Sequence, residues 1–218
     1  ALQSTKVKPH LARKFQADTL FGPELFFGVK MSETYPEHKI ILIKRAKGGM
    51  SLYGAWNPEW SEEKAKLMNE LNAPKLYSDF INYTKSILSE LEPNSYELCG
   101  MLWVQGETDS GKRFGPLPAA SYEANLNKLI AGMRTEFASP NLPFLIFQVG
   151  NGNVVEGLKN IAEEDPFVSL IPQSNDKSSD LYFKRNPTPV GHYVYESMKR
   201  IGTLFFEYYQ NDYAFIKK

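Results

Sequence analysis

The chain is short of the residues that build covalent and metal-held frameworks. One cysteine, Cys99, and three histidines, His10, His38 and His192, stand among 218 residues. A lone thiol forms no internal disulfide and does not discriminate between redox compartments. Ligands this few and this scattered make no zinc-type cluster. Charge of one sign is missing too: 25 basic residues balance 25 acidic ones. Composition therefore gives no electrostatic reason to expect DNA, RNA or an anionic membrane as partner. No apolar stretch approaches the ~20 residues that span a bilayer. Ala1 opens the chain with no apolar h-region behind it, so a signal peptide is expected to be absent or already removed. There is no internal repeat, no low-complexity tract and no convincing linker, so residues 1–218 are read as a single domain.

What the chain has is apolar runs of strand length alternating with helical patterns. Ile40 to Ile43, Leu98 to Val104, Pro143 to Phe147 and Phe167 to Ile171 read as buried strands. Pro23 sits where a first helix would begin. Leu76, Phe80, Tyr83, Ile87 and Leu91 recur at helical spacing and stop before Pro93. Ser121 is an expected N-cap for a helix that places Tyr122, Leu126, Leu129, Ile130, Met133 and Phe137 on one face. A helix is expected over Val154 to Ala162, and a last one carries Val194, Met198, Ile201, Phe205 and Tyr208. Ala46 to Pro58 is rich in glycine and reads as loop. This alternation predicts an α/β protein, a three-layer α/β/α arrangement around a central parallel sheet.

The most telling stretch is Leu102 to Asp109, LWVQGETD. It places an amide and a carboxylate, Gln105 and Glu107, where a buried strand gives way to loop. In open α/β sheets, ligands bind outside the carboxyl ends of the strands. Gly106 to Arg113 nearly spells a phosphate-binding loop, but Arg113 stands where magnesium needs a hydroxyl. Gly115, Pro116 and Pro118 then deny the loop the helix it should open. Other residues have plainer readings. His10 and His38 lie in polar stretches and read as solvated. Asp109 reads as a carboxylate that fixes a loop. Trp56 and Trp60 read as packing, and Cys99 as a small core residue. The triplet Asn82-Tyr83-Thr84 matches a glycosylation sequon but falls inside an expected helix.

Four segments carry a further signal. Phe21-Gly22-Pro23-Glu24 leads into a helix, and Lys47-Gly48-Gly49-Met50-Ser51-Leu52 is followed by Trp56. Leu102 to Asp109 comes third, and Gly191-His192-Tyr193 precedes the last helix. In this order they resemble the sialate O-acetylesterase and acetylxylan esterase group of SGNH hydrolases. The resemblance implies a flavodoxin-like SGNH fold that hydrolyses O-acetyl esters on sugars of the sialic acid or xylan type. The implied route runs through a serine nucleophile, with an acetylated carbohydrate as partner and no metal or organic cofactor. Family habit implies a secreted or periplasmic protein.

Carried over residue by residue, His192 would be the general base. The backbone N–H of Gly48 or Gly49 and the side-chain amide of Gln105 would be the oxyanion donors. Family members usually carry Asp three residues before the histidine, where this chain has Pro189. Glu107 is then the expected acid, with Asp180 second. The nucleophile departs further from the pattern. The family serine lies in a GQSN motif after the first strand, and none of the 21 residues before Gly22 reads that way. Gln3-Ser4 lies too near the start for a strand to position it. Ser174, in Pro172-Gln173-Ser174-Asn175, copies three of the four letters but follows the strand that precedes His192. At ~4.8 Å per strand, it would sit more than one strand from the donors. Ser51 lies beside the glycine pair. The chain thus resembles the esterase fold with its first strand and nucleophile segment missing. The competing reading is a non-catalytic carbohydrate-binding or structural relative.

Overall fold

Phe144-Leu145-Ile146-Phe147 is apolar at every position, and all four side chains are fully buried. A run with no polar alternation suits a strand covered on both faces. The computed structural model describes residues 5–6, 19–187 and 191–213. Its elements, in chain order, are β1 (Thr5–Lys6), β2 (Thr19–Leu20), α1 (Glu24–Thr34), α2 (Glu62–Leu67), α3 (Leu76–Leu88) and β3 (Met101–Trp103). A 3-10 turn (Lys112–Phe114) follows, then α4 (Leu117–Ala120), α5 (Tyr122–Glu136), β4 (Phe144–Phe147), α6 (Asn153–Glu164), β5 (Val168–Ile171) and α7 (Tyr195–Asp212). Gln3, Ser4, His10 and Pro189 lie outside the described residues. Among the described residues, no helix is long and apolar enough to cross a membrane.

The chain divides into two units, residues 43–170 and residues 1–42 with 171–218. The first contains the sheet. β3 runs parallel to β4, with Met101, Leu102 and Trp103 opposite Phe144, Leu145 and Ile146. β5 takes the other side of β4. Strands that follow in sequence and neighbour in space need crossovers, which α5 and α6 supply. α5 turns Leu126, Leu129, Ile130 and Met133 inward, and α6 turns Val154, Leu158 and Ile161 inward. These side chains share a core with Leu52, Trp56, Phe80, Trp103 and Phe144. Trp56 stands edge-to-face with Trp103 at 5.2 Å and with Phe80 at 6.3 Å. Arg134 ties the end of α5 to the sheet, donating to Asp165 and to the carbonyls of Leu142 and Phe167. The expected α/β fold, a small open parallel sheet flanked by helices, is what the chain forms.

In the other unit, α1 packs on α7 around Phe27, Met31, Ile201, Phe205 and Tyr209. The two helices approach closely at Gly202. A Cβ there would lie 2.3 Å from the Pro23 carbonyl oxygen and 2.7 Å from the Phe26 Cβ.

Four local expectations need correction. Ile40 to Ile43 forms no strand, and Ile41 is 43% exposed. An apolar run can pair, but a strand exists only beside a neighbour, and no described strand pairs with this one. β3 is shorter than Leu98 to Val104, because pairing with β4 ends at Trp103 and Val104 turns out toward solvent. Ser121 sits at the N-cap of α5, yet its hydroxyl points back and donates to the Leu117 carbonyl at 2.8 Å. The short helix α4 supplies that acceptor. Cys99 is half-buried rather than a core residue. α2 was not legible in the sequence: it is a six-residue helix whose N-cap, Ser61, accepts from the Lys64 N–H.

Candidate functional site

The loop from Gly48 to Trp56 joins no two regular elements directly, so its backbone N–H groups need partners from side chains. Five consecutive residues find them inward. The N–H of Ser51 donates to Glu70 Oε1 at 2.7 Å, and that of Leu52 to Asp109 Oδ2 at 2.9 Å. The N–H of Tyr53 donates to Asp109 Oδ1 at 2.8 Å, and that of Gly54 to Ser51 Oγ at 2.8 Å. The N–H of Ala55 donates to Glu70 Oε2 at 2.7 Å, and the Ser51 hydroxyl reaches the same oxygen at 2.9 Å. Successive N–H groups that converge form a concave nest for negative charge. Here the protein fills the nest with its own carboxylates. Ser51, Glu70 and Asp109 are buried, at 0%, 3% and 1% exposure.

Asp109 reaches this place because the chain turns sharply after β3. Gly106 has φ +153°, and a Cβ on it would lie 2.9 Å from Val154 Cγ1. Only glycine suits both the backbone angle and the space. The turn carries Gln105 and Asp109 to the same partners. Gln105 Nε2 donates to Asp109 Oδ2 at 2.6 Å and to the Met50 carbonyl at 3.2 Å. Tyr122, at the start of α5, donates its hydroxyl to the Gln105 carbonyl at 2.6 Å and lies 3.2 Å from Gln105 Oε1. Burial pushes the Tyr122 phenol far above its ordinary range, so it stays a neutral donor. Burial also pushes the Asp109 carboxyl up to about 6, opposed by the N–H groups of Leu52, Gln105 and Tyr53 and reinforced by the Glu70 charge.

The residues singled out from sequence fall as follows. Gly48 and Gly49 form an exposed turn at the mouth of the loop, Gly49 at φ +76°, and a Cβ on either would meet only open space. Gln105 is buried one residue from that turn, through Met50. Both of its amide hydrogens are engaged, the Met50 bond being the longer. Glu107 is exposed, and its carbonyl accepts from the Ser110 hydroxyl at 3.0 Å.

His192 and Ser174 belong to the other unit. The His192 carbonyl accepts from the Asn186 N–H at 2.7 Å, and the Val194 N–H donates to the Lys184 carbonyl at 3.1 Å. Arg185 and Tyr193 thus face each other across an antiparallel bridge. Arg185 lies over the Tyr193 ring and donates to its hydroxyl at 2.6 Å, while that hydroxyl donates to Gln173 Oε1 at 3.0 Å. His192 itself is exposed. Ser174 is half-buried. Its N–H donates to the Leu181 carbonyl at 2.8 Å, and its hydroxyl oxygen accepts from the Asp176 N–H at 3.0 Å. Asp180 is exposed, its carbonyl taken by Arg200.

Sequence reasoning missed Glu70 and the polar end of Tyr122. Glu70 belongs to no motif, and an acidic residue ahead of a helix, in a stretch with no pattern of its own, reads as solvated. Tyr122 did leave a signal: a phenol on a helix face destined for the core must find a partner.

Fold and geometry define an α/β protein whose glycine loop is locked, by an amide and two carboxylates, past the carboxyl end of a parallel strand. The family described as carbohydrate esterase, sialic acid-specific acetylesterase matches residues 4–210. The chain belongs to this family. Among solved structures, a protein from Arabidopsis thaliana, determined by X-ray crystallography at 1.6 Å, superposes with a TM-score of 0.65. It is 20% identical, over 91% of this chain and 71% of its own. At that identity the likeness speaks for the fold. No curated protein matches the sequence.

Proposed function

We propose that this chain is a serine-type O-acetylesterase acting on acetylated sugars, of the sialic acid kind that its family's description names or of the xylan kind. The observation that carries the reading is the glycine turn, Gly48-Gly49, held one residue from the buried amide of Gln105. Backbone N–H groups fixed beside a side-chain amide are what a tetrahedral oxyanion needs. The reading gives His192 the role of general base, which takes the proton of the attacking serine hydroxyl, and Glu107 the role of the acid. The serine oxygen adds to the acetyl carbon, and the carbonyl oxygen becomes the oxyanion. Gln105 meets it by exchanging its long bond to Met50. Collapse breaks the bond to the sugar oxygen, which takes the proton back from His192. Water then repeats the sequence on the acyl-serine and releases acetate.

The nucleophilic serine is not evident in the sequence; Ser174, in the partial match Gln173-Ser174-Asn175, is the low-ranked candidate that the assay tests. The test is acetate release from O-acetylated sialic acid and from acetylated xylan, by wild type, Ser174→Ala and Glu107→Gln. Release by wild type with loss in Glu107→Gln supports the reading, and loss in Ser174→Ala assigns the nucleophile. Sugar binding with no release by wild type would favour the non-catalytic relative.

A further inference from the structure

We infer that Asp109, backed by Glu70, is a positioning residue: it sets the conformation of the Ser51–Ala55 strap and, through it, the aim of the Gly48 and Gly49 N–H groups. The inference rests on the esterase reading and adds to it the group that keeps the donors in place.

The geometry makes the two carboxylates unequal in kind. Glu70 holds the two ends of the strap, Ser51 and Ala55. Asp109 holds its middle, Leu52 and Tyr53, and is the only one of the pair joined to Gln105. Gln105 in turn holds the Met50 carbonyl, next to Gly49. A displacement of Asp109 therefore reaches both kinds of proposed oxyanion donor, the glycine turn and the amide. Three N–H donors face the two oxygens of Asp109, so each oxygen must accept. The ionised form is the stronger acceptor and offers all its lone pairs to these donors, so the arrangement favours it, and a proton on either oxygen would weaken the bonds it accepts.

Among the described residues, neither Asp109 nor Glu70 forms an ion pair with Lys, Arg or His. The ionisable groups that face Asp109 are Glu70 from the segment after α2 and Tyr122 from α5. Glu107, on the same turn, acts on Tyr122. All three are acidic groups, so none of them favours ionisation. Burial works in the same direction, and the carboxyl titrates near 6. The strap is thus clamped by a charge that the interior disfavours, and it should loosen as that charge is lost.

The test has two readouts on the intact chain. The first is spectroscopic: the amide signals of Leu52 and Tyr53 and the side-chain amide of Gln105 are followed against pH in labelled protein. They should move together with a midpoint near 6, carry the Gly48 and Gly49 signals with them, and cease to titrate in Asp109→Asn. The second is kinetic. Asp109→Asn should lower kcat about 10–100-fold with KM unchanged within about threefold, the signature of misplaced groups rather than lost binding. Arg134→Gln, which loosens the join of α5 to the sheet through bonds that involve no residue of the strap, should leave kcat intact. Wild-type activity with an unchanged kcat in Asp109→Asn would overturn the inference. If wild type releases no acetate, the esterase reading fails and the spectra decide the clamp alone. Gly48 and Gly49 signals that ignore both pH and the substitution would then overturn it.

Discussion

The two units hold their candidate groups in opposite ways. In residues 43–170, the proposed oxyanion donors adjoin a strap whose five consecutive N–H groups are all satisfied inside the protein, by Glu70, Asp109 and Ser51. In the unit of residues 1–42 and 171–218, His192 sits on an exposed two-segment bridge, fixed by its backbone and by its neighbours Arg185 and Tyr193. One side of the proposed chemistry is built into a buried polar network, the other displayed on a surface ribbon. On the proposed reading, the difference amounts to a division of labour. Electrostatic stabilisation of an oxyanion depends on donors fixed in advance, so burial and redundancy are concentrated there. A base must exchange protons, and exposure suits it.

That contrast can be broken at several points. The largest effect is expected at the exposed ribbon: His192→Ala should lower acetyl-ester turnover by about a thousandfold or more, since loss of a triad member leaves only binding and oxyanion terms. Initial rates on a chromogenic acetate ester measure it. Turnover within twofold of wild type would remove His192 from the base's role.

A second effect lies in stability against pH. The folded-state pKa of Asp109, about 6, stands above its ordinary 3.8. Between those values the folded chain holds a proton that the unfolded chain releases. Stability from this group therefore falls as pH rises through that window, and above it the penalty is on the order of 3 kcal/mol. Urea unfolding at about pH 4.5 and pH 7 should show this slope in wild type and lose it in Asp109→Asn. The same charge would then cost stability and serve function, a trade that active sites make.

The remaining effects are local. Gly202→Ala drives a methyl group into the Pro23 carbonyl and the Phe26 Cβ, and should destabilise by about 1–3 kcal/mol, since neither helix can give way cheaply. Ser61→Ala removes the N-cap of α2 and should cost about 1 kcal/mol. Thermal unfolding reads both. A Gly202→Ala variant as stable as wild type would mean that α1 and α7 do not approach as closely as described.

The fold was legible where apolar runs were unambiguous. Phe144 to Phe147 and Val168 to Ile171 are strands because nothing but a buried, two-faced position accommodates them. The same rule failed at Ile40 to Ile43, where the residues are as apolar but no neighbour completes the ladder. Periodicity describes what a segment offers and is silent about what meets it. Helix boundaries were read to within a few residues, including the start at Ser121, though that residue's hydroxyl bonds backward; the short helix capped by Ser61 was missed. The candidate site was legible as letters, Gly48-Gly49 and Gln105 through Asp109, and as a family resemblance. Its physical core was not. Glu70 contributes three hydrogen bonds to the strap from a position 15 to 19 residues away, and no spacing rule links an acid to N–H groups at that distance.

If the donors are fixed in advance, the strap must be built before any substrate arrives. Hydrogen exchange of the ligand-free chain at about pH 7 tests this residue by residue. The amides of Ser51 to Ala55 should exchange at least about a hundredfold more slowly than those of the exposed Gly48 and Gly49, as internally bonded groups do. Exchange of the five as fast as that of the two glycines would contradict it.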